Sequence, residues 1–295
     1  MSWTTENIKD QSGKIILITG ANTGLGFQTA LELAKKNAYV ILAGRSSDKV
    51  NKAIADIIVK VPSAKLEAGI VDLSDLGSVK KFADTILKKH QRLDVLINNA
   101  GVMFPPPSKT KDGYELQFGV NYMAHFALTA HLFKLIKSTK NSRIVTLSSI
   151  AHKNGIIDFD NLKLEKPFDK FREYGQSKVA DLIFTFELQR RLADLNSTTI
   201  SVAAHPGISK TELLRTDKPE MINEFPHMSA NQGAFSSLYA ATEDIENGSY
   251  IGPDGEGETT GFPAPAIIAN YAKEKTIGKM LWDYTEKELG IKFPE

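Results

Sequence analysis

The stretch that decides the fold is Lys14-Ile15-Ile16-Leu17-Ile18-Thr19-Gly20-Ala21-Asn22-Thr23-Gly24-Leu25-Gly26. Its run of apolar residues is typical of a parallel strand that is covered on both faces. The glycines that follow allow a sharp turn, and an amphipathic helix begins there. Such a turn offers the free N–H groups of a helix N-terminus to phosphates, so it predicts a nucleotide cradle; the alternative is a tight turn that binds nothing. The predicted cradle residues are Gly20, Asn22, Thr23, Gly24, Leu25 and Gly26.

Outward from this stretch, short β-branched runs alternate with longer amphipathic segments as far as residue 251. This alternation predicts a doubly wound α/β Rossmann fold, with one parallel sheet of about seven strands and helices on both faces. No linker interrupts it, so we expect a single domain over 1–295, with an N-terminal extension (1–12), a core (13–251) and a C-terminal tail (252–295). The predicted strands are 14–19, 39–43, 65–71, 93–98, 143–148, 198–204 and 249–251. The predicted helices are 24–36, 48–61, 74–90, 113–138, 174–195 and 230–242.

The composition excludes several classes of function. Lysine and arginine number 36 against 35 acidic residues, and this net charge of +1 provides no basic face for nucleic acid. The chain has no cysteine, which removes thiolate nucleophiles and cysteine-bearing metal sites, and its histidines lack a metal-ligand spacing. The first residues are polar, and no apolar run reaches the roughly 20 residues of a membrane span. We therefore expect a soluble, cytoplasmic protein without a metal, a nucleic-acid partner or a membrane span.

The end of the second predicted strand indicates which nucleotide is bound. Arg45 and Ser46 stand there, one helix and one strand after Gly26. A carboxylate at this place would bind the ribose hydroxyls of NAD, whereas a guanidinium binds a 2′-phosphate through charge-assisted hydrogen bonds. An arginine at a strand end can also be merely solvated. The sequence therefore favours NADP(H) over NAD(H), with Arg45 and Ser46 in the cofactor site.

A tyrosine and a lysine stand four residues apart near the start of a predicted helix. This spacing puts Tyr174 and Lys178 on one helix face, one turn apart. A phenol is a poor base at neutral pH, and a neighbouring ammonium favours its phenolate form. Alone, such a pair is usually a surface coincidence. Here the preceding strand ends in Ser148 and Ser149 at the ligand-binding edge of the sheet, so a hydroxyl, a phenol and an ammonium can serve one reaction.

Together, in this order along the chain, these motifs resemble those of the short-chain dehydrogenase/reductase family. The family's glycine motif is T-G-x-x-x-G-x-G, and it has the same tyrosine–lysine spacing. By this resemblance Asp72 contacts the adenine, Asn98 to Gly101 line the cofactor ribose, and the Pro206-Gly207 turn meets the nicotinamide carboxamide. The resemblance adds to the cofactor site Asp72, Leu73, Asn98, Ala100, Gly101, Tyr174, Lys178, Pro206, Gly207 and Thr211.

The resemblance also implies a catalytic set of Asn121, Ser149, Tyr174 and Lys178. Hydride would pass between the nicotinamide and the substrate carbon while Tyr174 exchanges a proton with the oxygen. Ser149, with Ser148 as the alternative, would hydrogen-bond that oxygen, and Lys178 would support Tyr174 and hold the nicotinamide ribose. Asn121 would perturb its helix, so that its backbone carbonyl holds a water in a proton relay to Lys178. We expect an NADP(H)-dependent oxidoreductase that interconverts a carbonyl and an alcohol.

Within the family, the blocks around Ser149 and Tyr174 look most like the branch of retinol dehydrogenases and protochlorophyllide reductases. The expected substrate is a small or lipophilic carbonyl or alcohol, with predicted contacts at Met103, Ser149, His152 and Leu213. The alternative for Met103, His152 and Leu213 is ordinary packing, and for His152 the favoured alternative is a hydrogen bond within its own loop. A competing hypothesis is a redox sensor that binds NADP(H) on the same fold without turnover. The resemblance also implies homodimers or homotetramers that form through residues 113–138 and 174–195. The C-terminal tail is expected to cover either this surface or the substrate side of the protein.

Overall fold

The computed structural model describes residues 2–211, Leu213 and residues 226–294, so the outermost residues of the predicted extension and tail lie outside it. The described residues form a sheet of eight strands covered by helices. The strands are β1 (Ile15–Thr19), β2 (Tyr39–Gly44), β3 (Lys65–Ile70), β4 (Val95–Asn98), β5 (Arg143–Leu147), β6 (Ile200–Ala204), β7 (Tyr250–Pro253) and β8 (Pro263–Pro265). The helices are α1 (Gly24–Lys35), α2 (Ser47–Lys60), α3 (Leu76–Lys89), α4 (Leu116–Phe118), α5 (Ala124–Ser138), α6 (Lys170–Asp194), α7 (Ala230–Gly233), α8 (Phe235–Thr242), α9 (Asn270–Lys273) and α10 (Lys275–Leu289). A π-helical turn (Gly119–Met123) joins α4 to α5.

The strand order is β3-β2-β1-β4-β5-β6-β7-β8, and the strands from β3 to β7 are parallel. β1 therefore has β2 on one side and β4 on the other, because the chain returns to the middle of the sheet after β3. Loops that leave the carboxyl ends of β1 and β4 diverge at this switch point, which is where open α/β sheets bind ligands. The prediction of a doubly wound α/β fold is confirmed.

Two apolar cores cover the two faces of the sheet. Alternate side chains of β1 point to opposite faces, so Leu17 belongs to one core while Ile16 and Ile18 belong to the other. The Leu17 core includes side chains of α3, α5, α6 and α10, and the opposite core includes side chains of α1, α2 and α8. The nearly continuous apolar strands follow from this double coverage.

The predicted count of about seven strands misses one strand of the described part. β8 pairs antiparallel with β7 and forms an edge of the sheet. It is only three residues long and contains Pro263 and Pro265, which a sheet accepts only where ladder N–H groups are not needed. A strand this short and this rich in proline leaves no alternating pattern to recognise. The tail thus extends the sheet before it turns back over the helices.

Several helix boundaries differ from the predicted ones for local reasons. α6 begins at Lys170 because the carboxylate of Asp169 accepts hydrogen bonds from the N–H groups of Phe171 (2.9 Å) and Arg172 (3.1 Å). The predicted 113–138 helix is interrupted by the π-helical turn, and the predicted 230–242 helix divides at Ala234. The tyrosine–lysine pair still lies near the start of this helix of 25 residues, as predicted.

The C-terminal tail packs on α5 and α6 through Trp282 of α10. Its indole stacks on Phe184 of α6 (centroids 5.8 Å apart) and on Phe293 (4.9 Å), and it meets Phe126 of α5 edge-on (4.8 Å). The indole N–H donates to the carbonyl of Phe293 (3.1 Å). These contacts occupy surface of the two helices through which the resemblance implies dimers or tetramers, so the tail covers part of that surface in this chain.

The N-terminal extension is attached to the opposite core. The Trp3 ring meets Phe235 and Tyr239 of α8 edge-on, with centroid separations of 5.9 Å and 5.4 Å. Its indole N–H also donates to the carboxylate of Glu243 (3.0 Å). The extension and the core thus form one packed unit at this point.

We predict that Trp282→Ala lowers the free energy of unfolding by about 3–5 kcal/mol, because it removes a fully buried indole and leaves a cavity among three aromatic rings. Urea denaturation followed by circular dichroism measures this change. Met280→Ala on the same helix is the control, since Met280 is exposed and we expect it to change the free energy by less than about 0.5 kcal/mol. Equal effects of the two substitutions would contradict the assigned role of the tail.

Candidate active site

A cleft of about 750 Å³ opens at the switch point between β1 and β4. Its walls come from the β1–α1 turn and from the carboxyl ends of β2, β3 and β4. The lining residues are Gly20, Asn22, Thr23, Gly24, Leu25, Gly26, Gly44, Arg45, Ser46, Lys49, Val71, Asp72, Leu73, Ser74, Asn99, Ala100, Gly101, Val102, Met103, Phe104, Pro105, Pro106, Leu116, Val120, Thr211 and Leu213. The predicted site residues outside this lining are Asn98, Asn121, Ser149, His152, Tyr174, Lys178, Pro206 and Gly207. All the predicted cradle residues line the cleft.

Two positions of the cradle require glycine. A Cβ on Gly20, whose φ is +66°, would lie 2.9 Å from the Cα of Ala100 in the loop after β4. A Cβ on Gly26 would lie 2.4 Å from the carbonyl oxygen of Gly20. Only without these side chains can the turn, α1 and the β4 loop approach one another so closely. The N-terminus of α1 lies at the same turn, with free N–H groups and a partial positive charge suited to phosphates.

The cleft is cationic at the end of β2. Arg45 and Lys49 both line it, and both are exposed. Neither forms an ion pair with a carboxylate in the described part of the chain. Ser46 lies between them and caps α2, since its hydroxyl accepts a hydrogen bond from the Lys49 N–H (3.4 Å). The positive charge here is therefore available to an anion.

Asp72 and Leu73 line the cleft at the end of β3, as predicted. The carboxylate of Asp72 accepts hydrogen bonds from the backbone N–H of Ser74 (2.9 Å) and from its hydroxyl (2.7 Å). These bonds fix the carboxylate in the turn that follows the strand. Both bonds go to Oδ1 of Asp72, so Oδ2 is the carboxylate oxygen that remains available to a ligand.

Asn98 does not line the cleft, contrary to the expectation. It is 1% exposed, and its amide donates to the hydroxyl of Thr129 on α5 (3.2 Å). The neighbouring Asn99 lines the cleft instead, and its amide donates to the carbonyl of Thr19 (2.7 Å). Consecutive side chains at a strand end point to opposite sides, and this alternation is the signal that could have identified Asn99.

Asn121 lies in the π-helical turn, in agreement with the expectation that it perturbs its helix. Its side chain holds the loop after β4: the amide donates to the carbonyl of Val102 (3.0 Å), and the amide oxygen accepts from the Val102 N–H (2.8 Å). The amide also donates to the hydroxyl of Ser177 (2.9 Å), one residue before Lys178. Asn121 therefore joins the cleft wall to α6.

A buried histidine connects Asn121 to the first strand. The Nδ1 of His125 lies 2.7 Å from the carbonyl oxygen of Asn121, and its Nε2 lies 2.9 Å from the hydroxyl of Thr19. Burial lowers the pKa of His125 to about 4, so the ring is neutral at physiological pH. Nδ1 then donates to the carbonyl and Nε2 accepts from the Thr19 hydroxyl. The carbonyl assigned to the proton relay thus already accepts one hydrogen bond, a contact that the sequence did not reveal.

Tyr174 and Lys178 are buried together next to the cleft wall. The Nζ of Lys178 lies 5.9 Å from the centroid of the Tyr174 ring. A Cβ placed on Gly101, which lines the cleft, would be 3.9 Å from that Nζ and 3.2 Å from the amide oxygen of Asn121. Burial opposes the ammonium form of Lys178, but the charges of Asp181 and Tyr174 and the hydrogen bond to Asp181 together outweigh burial and raise the pKa of Lys178. Lys178 is therefore a buried cation beside a phenol.

The two serines after β5 have different partners. The hydroxyl of Ser148 donates to the backbone carbonyl of Lys178 (2.7 Å), which ties β5 to α6. Ser149 is half-buried, and its hydroxyl accepts from the Ala151 N–H (3.2 Å) at the start of a 3-10 turn (Ile150–Asn154). An accepting hydroxyl can still donate its own proton. Ser149 is thus the serine whose O–H remains suited to a substrate oxygen.

Of the predicted substrate contacts, Met103 and Leu213 line the cleft and His152 does not. His152 is fully buried; its Nδ1 lies 2.7 Å from the carbonyl oxygen of Ser149, and its Nε2 accepts from the Ala269 N–H (3.3 Å). Both ring nitrogens are engaged in fixing the serine loop to the tail. The structure therefore favours the alternative of a hydrogen bond within the loop over a substrate contact for His152.

The Pro206-Gly207 turn lies against the tail. Gly207 has a φ of +59°, and the Ile208 N–H donates to the carbonyl of Thr259 (2.7 Å). Thr211, which follows the turn, does line the cleft, and a Cβ on Gly24 would lie 3.3 Å from its Cβ. The turn therefore leads the chain back to the phosphate cradle.

Neither a metal cluster nor a membrane helix occurs in the part of the chain that the structure describes. No group of three or more His, Asp or Glu side chains among those residues is arranged to hold a metal ion. None of the helices given above is long and apolar enough to cross a membrane.

Burial lowers the pKa values of His125, His152 and His205, so these rings act as neutral hydrogen-bonding or packing groups.

Comparison with known proteins gives the chain relatives over nearly its whole length. The family model of the short chain dehydrogenases matches residues 14–221. Retinol dehydrogenase 13 of Mus musculus is 38% identical over 296 residues, which cover 95% of this chain and 84% of that protein. Retinol dehydrogenase 11 of Homo sapiens is 39% identical over 284 residues, which cover 95% of this chain and 86% of that protein.

Solved structures have the same fold. An uncharacterized protein from Mycobacterium paratuberculosis superimposes with a TM-score of 0.85 at 35% identity, and the superposition covers 100% of both chains. A short chain dehydrogenase from Shigella flexneri, complexed with NADP, superimposes with a TM-score of 0.64 over 81% of this chain and 96% of that chain. Its 20% identity limits that likeness to the fold.

The matched segment, residues 14–221, spans both the glycine cradle and the tyrosine–lysine helix. The two relatives given above, which each cover 95% of this chain, are retinol dehydrogenases. From the family match, the relatives and the geometry of the cleft, the chain belongs to the short-chain dehydrogenase family, in its retinol-dehydrogenase-like branch, and is an oxidoreductase with a fold that binds a nicotinamide cofactor.

Proposed function

We propose that this oxidoreductase interconverts a carbonyl and an alcohol on a small or lipophilic substrate, prefers NADP(H) to NAD(H), and uses Tyr174 as its acid and base. The observation that carries the proposal is the burial of Tyr174 and Lys178 side by side, 5.9 Å from Nζ to ring centroid, behind the Gly101 wall of the cleft. A phenol and an ammonium in such a place can exchange a proton with a bound ligand.

The cleft has the size and chemistry of a dinucleotide site. Its volume of about 750 Å³ lies within the roughly 300–1,000 Å³ of small-molecule and cofactor sites. Gly20 and Gly26 leave the backbone approach that a pyrophosphate needs, and Gly101 and Lys178 would hold the nicotinamide ribose. When bound, the nicotinamide supplies or accepts the hydride, while the protein supplies position and charge.

Each predicted catalytic side chain has a separate task in this proposal. In the reducing direction the Tyr174 hydroxyl donates its proton to the substrate oxygen, and in the oxidising direction the phenolate takes that proton back. The ammonium of Lys178 favours the phenolate. Ser149 donates a hydrogen bond to the substrate oxygen. Ser149 is preferred to Ser148 because the hydroxyl of Ser148 already donates to the backbone carbonyl of Lys178. Asn121 holds the cleft wall against α6.

Part of the cleft lining supports a lipophilic substrate. The loop after β4 and the residues near it contribute a set of apolar side chains, namely Met103, Phe104, Pro105, Pro106, Leu116, Val120 and Leu213. Phe104 also packs edge-on against Tyr174, with ring centroids 5.5 Å apart, so the apolar wall reaches the acid–base group. The names of the relatives, retinol dehydrogenases, point to the same class of substrate.

The proposal is tested by incubating the protein with NADPH or NADH and a panel of aldehydes and ketones that runs from short to long apolar chains. We expect oxidation of NADPH, fastest with the apolar carbonyls. Tight binding of NADPH without oxidation by any carbonyl would instead support the redox-sensor alternative.

We predict that Tyr174→Phe lowers kcat by about 10²- to 10⁴-fold, because it removes the proton donor and keeps the ring. Steady-state kinetics measures kcat, and fluorescence titration with NADPH checks that the dissociation constant is unchanged. Tyr284→Phe on α10 removes a hydroxyl remote from the cleft and serves as the control. Unaltered turnover in Tyr174→Phe would refute the acid–base assignment.

We further predict that Arg45→Ala weakens NADPH binding about tenfold and leaves NADH binding unchanged, because it removes a charge-assisted contact to the 2′-phosphate. Fluorescence titrations with both nucleotides measure the two dissociation constants. Lys52→Ala is the matched control because it also removes one positive charge. Lys52 lies on α2, pairs with Asp56 and does not line the cleft. A parallel loss for NADPH and NADH in Arg45→Ala would argue against NADP(H) preference.

A further inference from the structure

A buried carboxylate that the proposed reaction does not use lies beside Lys178. Asp181 follows Lys178 by three residues on α6, so the two side chains lie on the same helix face. Asp181 is 1% exposed, and its Oδ2 lies 2.9 Å from the Nζ of Lys178. Its Oδ1 is buried and has no hydrogen-bond partner among the described residues. A carboxylate held in this way is only half satisfied.

Asp181 takes up part of the bonding capacity of Lys178. An ammonium has three N–H donors. Nζ donates to Oδ2 of Asp181 and to the backbone carbonyl of Leu147, both at 2.9 Å. One donor is therefore left for a cofactor ribose or a relay water. The carboxylate also neutralises the ammonium at close range, which weakens the field that Lys178 exerts on Tyr174.

We propose that Asp181 is a positioning residue for Lys178: its carboxylate fixes the ammonium and offsets its charge, and protonation of Asp181 restores that charge beside Tyr174. This inference rests on the proposed roles of Tyr174 and Lys178. In the protonation step a hydronium ion from the solvent transfers one proton to Oδ1, the unused oxygen, and becomes water, while Oδ2 keeps its contact with Nζ. The pair then changes from neutral to singly positive, and no other bond is made or broken.

The titratable groups that surround Asp181 and Lys178 keep a constant charge near neutral pH, so a change of charge there belongs to the pair of Asp181 and Lys178. Tyr122 from the π-helical turn and Tyr250 from β7 face Asp181, and burial raises the pKa of each phenol. His125 from α5 faces Lys178 and is neutral because burial lowers its pKa to about 4. α10 contributes the uncharged Thr285, which hydrogen-bonds the Tyr122 hydroxyl.

The charge of the pair changes close to neutral pH. Burial raises the pKa of Asp181 to about 7, although the charge of Lys178 opposes this rise. Below about pH 7 the carboxyl is protonated, so Lys178 acts on Tyr174 with its full charge. Above about pH 7 Asp181 is ionised and pairs with Lys178, so the charge of Lys178 acts less strongly on Tyr174. The oxidation of an alcohol, which needs the phenolate, is therefore held back at the higher pH values by Asp181.

The kinetic test is Asp181→Asn, which keeps an oxygen acceptor for Nζ but never carries a charge. We expect the acidic limb of the pH profile of kcat/KM for alcohol oxidation to move to lower pH by about one unit, because one negative charge is removed from beside Lys178. On that limb kcat/KM then rises up to about tenfold. Asp181→Glu restores the charge and is expected to return the limb toward its wild-type position.

A measurement without cofactor or substrate tests the same inference. In protein labelled with ¹³C at the aspartate carboxyls, the resonance absent from Asp181→Asn and Asp181→Glu is expected to titrate near pH 7. A midpoint near the ordinary aspartate value of about 4 would overturn the proposal, even where a variant proves too unstable for kinetics.

Glu187→Gln is the matched control. Glu187 is a buried carboxylate on the same helix, but it pairs with Arg190 (2.6 Å) and lies about 13 Å along the helix from Lys178. Its replacement should leave the pH profile unchanged; an equal shift would mean that Asp181 acts only through overall charge.

The two proposals fail in distinguishable ways. If Tyr174→Phe retains turnover, the proposed acid–base function is wrong. If Tyr174→Phe loses turnover but the pH profile of Asp181→Asn superimposes on that of the wild type, only the role of Asp181 is wrong.

Discussion

The site depends on one buried hydroxyl, that of Thr19 at the end of β1. Its oxygen accepts hydrogen bonds from the N–H groups of Asn99 (2.9 Å) and Ala100 (3.0 Å), which hold the loop after β4 against the glycine cradle. Its proton goes to the neutral ring of His125, which in turn donates to the carbonyl of Asn121. Since the residue is fully buried, none of these bonds competes with water. One side chain thereby connects the glycine turn, the loop after β4 and the π-helical turn that carries Asn121.

The two halves of the site are built on opposite faces of the sheet. The cradle belongs to α1, which packs on one core, whereas Tyr174 and Lys178 belong to α6, which packs on the other. The connections between these halves pass through the carboxyl ends of the strands: Lys178 donates to the carbonyl of Leu147, and Ser148 donates back to that of Lys178. A buried ammonium needs such partners to remain charged. The strand ends thus position Lys178, one of the proposed catalytic groups, and also stabilise its charge.

Much of the fold, and most of the residues that line the cleft, could be predicted because local patterns encode them. The apolar strands, the glycine turn and the spacing of Tyr174 and Lys178 each depend on residues that are close in the chain. The prediction failed where the local pattern was weak or ambiguous. β8 has too few residues to show alternation. Asn99 lines the cleft and Asn98 does not, because their side chains point to opposite sides. The local pattern left two roles open for His152, and its contact with the distant tail decides between them.

The sequence by itself determined the α/β class, the glycine turn that lines the cleft, the cationic end of the cleft at Arg45 and the helix face shared by Tyr174 and Lys178. Only the tertiary structure decided that Asp181 opposes the charge of Lys178, that His125 connects β1 to Asn121, and that the tail covers α5 and α6. The physical reason is burial. A helix spacing shows that two side chains are neighbours, but the strength of their interaction depends on whether water is excluded around them, and distant segments of the chain exclude it.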